Sequence, residues 1–485
     1  MKNKSYRLHP ASLFFLLTLG VVFVVWVLDI YGVSVYNPQD RSFLRVQSLL
    51  NAEGARWLMR HAIKNFLGFE PLAMVVVSLM GLGLARHSGF LEAAAQLFPN
   101  SKQTPHWALL LFILLGILSN VIGDAGYVFL IPLVAILAPS LGLHPVAAIL
   151  ITFVSVACGY SANWMLSSMD PLLARLSKEV SVGFLPQNFN SGKYANYYFM
   201  SASTFVLTAV IYAVSRWQLI PRLQRLGLRP AAVAAKKLSH RAQRSLQVAG
   251  ALGLAILVLV GWLTFSSWGL FRGVSGELVR SPFIMGALFI LSLSFGLMGL
   301  VYGWSSGRYD SDWDVVRGLG SGIRELSVYF VVAFFAAQFF ACIEYTQLDQ
   351  FIVLLLGHFT RALNTESSLL LLCVFMLYAA VANLFMVSAV GKWSLISALF
   401  LPLFWEQGVS PDVVQAAYRI GDSSTNVITP FLYYCPFVLV LLEKLLPRVS
   451  FGFIARHTWR FSLAVFVAWS AFFLIWYLLG LPFGL

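Results

Sequence analysis

The fold class predicted by this sequence is an all-α polytopic membrane protein, with nine transmembrane helices plus two re-entrant helical hairpins, arranged as inverted repeats with broken helices. Three observations lead there. Hydrophobic residues make up 59% of the chain and charged residues only 11%, where a soluble chain carries about a quarter charged. Apolar runs of membrane-spanning length recur along the whole sequence. Polar, glycine-rich interruptions fall inside two of these apolar regions at matching spacing: Asn120 to Pro139 and Asn383 to Pro402 are both 19 residues. Broken backbone survives at membrane depth only where protein or a wet cavity covers it. Paired breaks in the two halves of a chain are the sequence mark of a transporter's binding site.

Each element follows from hydropathy and loop charge. Residues 13–31 form the first span, retained because no small-residue cleavage site follows them. Residues 37–64 are polar with some helical periodicity, and 66–85 return, ending at Arg86-His87. Residues 107–138, interrupted at Gly123-Asp124-Ala125-Gly126, read as a re-entrant hairpin, because the arm 126–138 has only 13 residues, short of the ~20 that a crossing helix needs. Residues 145–176 cross next, broken around 159–163, and 197–217 return. The second half repeats the pattern inverted: spans at 246–265, 283–304 and 326–343, a short interfacial helix at 351–359, a second hairpin at 367–404, a crossing at 411–446 broken at 421–426, and a last span at 461–481. The units are therefore 1–106 (scaffold and dimer spans), 107–217 (first repeat), 218–245 (basic loop), 246–365 (scaffold spans), 366–446 (second repeat) and 447–485 (C-terminal span).

The net charge is +13, from 33 basic and 20 acidic residues. Eight Arg and Lys residues sit between Arg216 and Arg244 with no acid among them, which marks a cytoplasmic loop rather than a nucleic-acid surface. Lys444, Arg448, Arg456 and Arg460 mark another, and Lys2, Lys4 and Arg7 put the N-terminus inside, leaving the C-terminus in the periplasm. Cys158, Cys342, Cys373 and Cys435 lie in apolar segments without CxxC spacing, so they read as small buried hydrophobes.

Intramembrane ionisable groups are functional by default. Asp422 and Asn426 are four apart, with hydroxyls at 423–425 between them and Pro430 beyond to favour unwinding. One carboxylate, one amide oxygen and freed carbonyls make a hard-oxygen set that suits Na⁺, or Asp422 carries a proton; the plain alternative is a pair with Arg419. Asn120 and Asn383 hold matching positions at the ends of the first hairpin arms, as amide-oxygen donors or as caps. Asp170-Pro171 is either a proton relay or a helix cap. Asp124, in the first hairpin's turn, is a turn former or a gate residue. Lys392 and Trp393, at the second hairpin's tip, offer a cation and an aromatic face to an anionic aromatic substrate. Gly159 stands where the second copy has Asp422, so the first copy contributes Asn120, Ser161, Asn163 and Asp170 instead. No cofactor is called for besides bound Na⁺. There is no GxxxxGK[ST] loop, HExxH or GxSxG, so neither ATP-driven transport nor an intramembrane enzyme has a motif to rest on. A related transporter of short-chain carboxylates, needing the cation site but not Trp393, is the alternative.

Several segments carry a family resemblance: Asn65-Phe66, Pro71-Leu72, residues 79–85 followed by Ser88-Gly89, Gly391-Lys392-Trp393 and above all the run from Arg419 to Pro430. Together they resemble the p-aminobenzoyl-glutamate transporter (AbgT) family over residues 13–485. The resemblance implies an inner-membrane homodimer with nine spans and two hairpins per subunit. It implies ion-driven transport of p-aminobenzoyl-glutamate or related folate breakdown products, and for some members export of sulfonamide antimetabolites. It gives transport roles to Asp170, Trp393, Arg419, Asp422 and Pro430, and sodium ligation to Asn383, Asp422 and Asn426. Arg86-His87 and Val390 depart from the family's pattern, the second beside the expected substrate site.

Overall fold

The computed structural model describes residues 8–98, 105–183, 192, 194–230, 238–266, 268–273, 276, 278–279, 281–324, 326–363 and 365–485; Lys2, Lys4, Arg7, Lys236 and Lys237 lie outside them. Helix α1 (Pro10–Ile30) opens on a proline, whose missing N–H costs nothing in a first turn, and is capped by the His9 ring. The polar stretch that follows holds a two-stranded hairpin, β1 (Ser34–Asn37) against β2 (Ser42–Arg45), which helical periodicity did not anticipate. Helix α2 (Ala52–Leu67) is capped by Asn51, whose side chain accepts from the Gly54 N–H at 2.7 Å. Helix α3 (Glu70–His87) continues it after a break at Gly68-Phe69, and the short α4 (Phe90–Ala95) follows.

The first repeat then begins. Helix α5 (His106–Leu118) runs into a 3-10 turn at Ser119–Ile122, and Gly123, at φ +67°, turns the chain. A π turn at Gly126–Leu130 and α6 (Ile131–Leu137) form the returning arm. Helix α7 (Pro145–Cys158) and α8 (Met169–Ser181) are the two halves of one broken crossing. Helix α9 (Tyr197–Val214) extends through a π turn into α10 (Ile220–Arg225).

Three scaffold helices come next: α11 (His240–Phe265), α12 (Pro282–Ser306) and, after an amphipathic α13 (Asp312–Arg324) that the hydropathy did not separate out, α14 (Ser327–Thr346). Helix α13 lies on α3 by pairing glycines: a methyl at Gly83 would come within 2.7 Å of the Gly322 nitrogen. Small residues that let backbones touch are how helices associate where lipid removes the hydrophobic drive. Helix α11 turns Leu254, Leu257, Val258 and Leu259 outward, as a lipid-facing helix does. Helix α15 (Leu348–Arg361) is short and has a polar start.

The second repeat consists of α16 (Ser368–Ala382) and α17 (Ala389–Glu406) as its hairpin, then α18 (Pro411–Ser424) and α19 (Cys435–Glu443) as its broken crossing. Both crossings are interrupted for the same length, residues 159–168 and 425–434, ten each. Helix α20 (Phe451–Leu478) closes the chain. Among the described residues, seven helices are long and apolar enough to cross a membrane, and the two hairpins and two broken crossings supply shorter apolar pieces. The two basic loops meet: Arg222 donates to the Arg456 carbonyl at 3.4 Å, and Arg460 to Gln218 at 3.5 Å.

Candidate transport site

The interrupted ends of the two crossings face each other at the centre of the molecule. Asn426 donates to the Ala157 carbonyl at 3.1 Å, and the Cys158 thiol lies 3.8 Å from the Ser424 carbonyl. Each hairpin is tied to its own crossing by the asparagine that ends its first arm. Asn120 donates to the Val156 carbonyl at 3.0 Å, and Asn383 donates to Thr425 at 3.1 Å and to the Asn426 side-chain oxygen at 2.9 Å. Gly421 lets α18 lie directly on α16, since a methyl there would sit 2.5 Å from the Met376 carbonyl.

Asp422, 1% exposed, faces Lys392 rather than Arg419. The fully buried Lys392 ammonium is 2.7 Å from the Asp422 carboxylate, 2.6 Å from the Asn383 side-chain oxygen and 2.8 Å from the Met386 carbonyl. The Tyr418 hydroxyl lies 3.2 Å from the same oxygen that Lys392 meets, Asp422 Oδ1, and 2.6 Å from the Ala389 carbonyl. The oxygen set expected to take a cation is gathered here, and the cation within it is the protein's own ammonium. Its donors are all hard oxygens, so they fit Na⁺; Asn426 joins them only through Asn383. Helix α18 ends at Ser424 and unwinds at Thr425, six residues short of reaching Pro430, so Asp422 and Asn426 do not share a helix face.

Arg419 pairs instead with Asp170, Nη2 to Oδ1 at 2.6 Å, and donates to the Ser161 carbonyl at 3.3 Å. Asp170's other oxygen accepts from the Ser167 backbone N–H at 2.6 Å and its hydroxyl at 3.0 Å. Asp170 is thus not the cap expected of it: helix α8 begins at Met169 after Ser168, with no side-chain cap bond, and the two oxygens of Asp170 go to Arg419 and to Ser167. The pair joins repeat to repeat. Asn163, oriented to satisfy its neighbours, donates to the Ile117 carbonyl at 3.2 Å.

Trp393 is fully buried. Its ring packs on Tyr418, centroids 4.8 Å apart, and its N–H donates to the Ser177 hydroxyl at 3.1 Å. Gln415 donates to the same hydroxyl at 2.8 Å and accepts from Asn196 at 2.6 Å. Ser177, Asn196, Gln415 and Tyr418 were not singled out from the sequence. A signal existed: Gln415, Tyr418 and Asp422 follow each other at three and four residues, and Ser177 comes seven after Asp170, both helical repeats of one face. Pro430 lies in the unwound segment; its neighbour Thr429 donates to the Leu384 carbonyl at 2.8 Å. Asp124 is not in this cluster. It lines a separate cavity of about 400 Å³ with Glu70, Tyr433 and Tyr434.

The first repeat has Phe129 at the position matching Lys392, each nine residues after its asparagine, and Gly159 at the position matching Asp422. At Gly159 a methyl would come 2.7 Å from an Ile117 side-chain carbon. Both partners of the buried pair are absent from that copy, and there is no room for one of them.

Comparison with known proteins agrees with this architecture. The profile described as the "AbgT putative transporter family" matches residues 6–485. A curated protein of Escherichia coli (strain K12), the p-aminobenzoyl-glutamate transport protein, is 28% identical over 478 residues, covering 98% of this chain and 93% of that one. The crystal structure of the Alcanivorax borkumensis YdaH transporter, described as having an unusual topology, superposes with a TM-score of 0.53 at 31% identity, covering 99% of this chain and all of that one. Neisseria gonorrhoeae MtrF, presented as illuminating a class of antimetabolite efflux pumps, gives 0.50 at 31% identity, over 97% and 96% of the two chains. Inverted repeats with broken crossings, paired charges at their junction and a family match along nearly the full length lead to one conclusion: the chain belongs to the AbgT family and is a membrane transporter, not an enzyme.

Proposed function

We propose that this protein is an ion-coupled secondary transporter of p-aminobenzoyl-glutamate or related aromatic carboxylates, with sulfonamide-type antimetabolites among the compounds it exports. The observation that carries the coupling is the oxygen cage around the Lys392 ammonium. A cage that holds an ammonium in the membrane interior has the charge and the donors to hold a coupling cation, so the lysine and the ion compete for it. Asn383, Asp422 and Asn426 would hold Na⁺, and a proton at Asp422 is the other coupling ion. Na⁺ moving down its gradient through this site would supply the energy that drives the substrate.

The substrate side of the site is cationic and aromatic in composition. Arg419 and Trp393 flank the junction of the repeats, and Asp170 occupies the guanidinium in this conformation. An anionic substrate therefore reaches Arg419 by taking the place of Asp170's carboxylate. The protein works as a homodimer in the inner membrane, with its joined basic loops and N-terminus cytoplasmic and its C-terminus periplasmic. The support for this orientation is that the two basic segments meet, Arg222 donating to the Arg456 carbonyl.

Flux in proteoliposomes tests the reading, with Na⁺ and pH gradients imposed separately. The wild type moves p-aminobenzoyl-glutamate against its gradient under one of the two. Asp422→Asn reaches the membrane and loses this coupled flux; normal gradient-driven flux in that variant refutes the assignment.

A further inference from the structure

A small cavity of about 10 Å³ lies beside the Arg419–Asp170 pair, and Ser161, Asn196, Gln415 and Arg419 are among its walls. Three buried polar atoms of those walls have no hydrogen-bond partner among the described residues: Arg419 Nε, Ser161 Oγ and Asn196 Oδ1. Their residues are 3%, 2% and 3% exposed. Buried polar groups are nearly always paired, so three orphans on one cavity point to a group that arrives from outside.

The chemistry of that group is fixed by following the hydrogen bonds inward. Ser177 gives its single proton to the Leu173 carbonyl at 3.0 Å, so toward Trp393 and Gln415 its oxygen accepts. Gln415 must then present its NH₂ to Ser177 and its oxygen to Asn196. Asn196 in turn spends its NH₂ on Gln415, leaving its oxygen free. The cavity thus offers an obligate donor, the Arg419 Nε–H, an obligate acceptor, the Asn196 oxygen, and a Ser161 hydroxyl that serves as either. A carboxylate has only acceptors and leaves the Asn196 oxygen facing lone pairs. A secondary amide has one acceptor and one donor and satisfies both.

We infer that Arg419, Asn196 and Ser161 form a subsite that reads the amide linkage of an N-acyl amino acid, with Gln415 and Ser177 holding Asn196 in register and tying it to Trp393. The amide carbonyl takes the Arg419 Nε–H, and the amide N–H goes to Asn196 Oδ1. The subsite selects amide-linked aromatic acids over simple carboxylates, so it rests on the substrate reading above and narrows it. At its present volume the cavity is closed, and the amide enters when Asp170 releases Arg419.

Binding of two ligands to the purified full-length protein, by calorimetry, tests this. One is p-aminobenzoyl-glutamate and the other its isosteric ester, in which oxygen replaces the amide N–H. The wild type is expected to favour the amide by about tenfold or more, the discrimination of a site left with an unpaired polar group. Asn196→Ala is expected to bind both alike, at the ester's level. Equal wild-type affinity for amide and ester overturns the inference while leaving the substrate reading standing, and so does an Asn196→Ala variant that keeps the preference. Binding of neither ligand to the wild type overturns both. The wild-type comparison alone decides if the variant does not fold.

Discussion

A lysine, a carboxylate and an asparagine oxygen share one buried space at Asp422, and none of them is independent of the others. Removing one partner of a buried ion pair leaves a bare charge, which costs roughly 3–5 kcal/mol, whereas replacing both by apolar groups of similar size is close to neutral. Lys392→Met should therefore lower the melting temperature of the purified protein sharply, and Lys392→Met with Asp422→Leu should recover most of the loss. Additive destabilisation in the double variant would show that the two side chains are held by their separate surroundings and not by each other. The identities at this site were legible in the sequence; their pairings were not. Asp422 and Arg419 are three apart on one helix, the spacing that suggests a pair, yet α18 presents them to different neighbours: Asp422 to α17's Lys392 and Arg419 to α8's Asp170. Which long side chain meets which acid is decided by the packing of three helices, α8, α17 and α18, and no local spacing contains that.

The broken crossings depend on contacts too close for any side chain. Gly421→Leu is expected to push α18 off the Met376 carbonyl and Ala379. Overpacking of this kind costs about 1–3 kcal/mol, and the loss of monodisperse protein in size-exclusion chromatography would register it. The breaks themselves were legible, because Gly159 and residues 421–426 are polar or small in apolar surroundings. Their edges were not: α18 runs on as regular helix through Gly421 and Asp422 to Ser424, since the glycine is there for approach to α16 and not for a turn. The β1–β2 hairpin and α13 escaped the sequence for a different reason, being short amphipathic pieces between long apolar runs. Outside the membrane-length helices, burial at the start of α15 pushes the Asp349 carboxyl up from 3.8 to about 6, against a 2.9 Å hydrogen bond from the Gln350 N–H that opposes the shift. Its folded-state value lies above its unfolded value, so ionising it costs stability as pH rises through that window. Asp349→Asn should be more heat-stable than the wild type at pH 7.5, with the advantage shrinking as pH falls from 6 towards 4. An advantage that persists unchanged at pH 4 would place its origin elsewhere.

Over the whole molecule, the two repeats share a backbone plan but not a charge plan. Matching asparagines and matching hairpins could be read from residue spacing before any coordinates, the shared ten-residue length of the breaks could not, and the AbgT relatives span nearly the same length. Among the described residues the charge-bearing cage sits in the second copy, because Phe129 and Gly159 replace both partners in the first. The cation-facing chemistry is thus built from one half and the bridge between halves from Arg419 and Asp170.

Those two ion pairs have an electrical consequence. A unit charge moved through a membrane potential of 100 mV exchanges about 2.3 kcal/mol with the field. In the substrate-free protein Lys392 is paired with Asp422 and Arg419 with Asp170, so neither core pair carries net charge, and the field can do work only on what is carried. A voltage step applied to the substrate-free protein on a supported membrane should displace no charge, while Asp170→Asn, which strips Arg419 of its counter-charge, should produce a transient current. The lysine and arginine in the middle of this transporter are there without making it a voltage sensor.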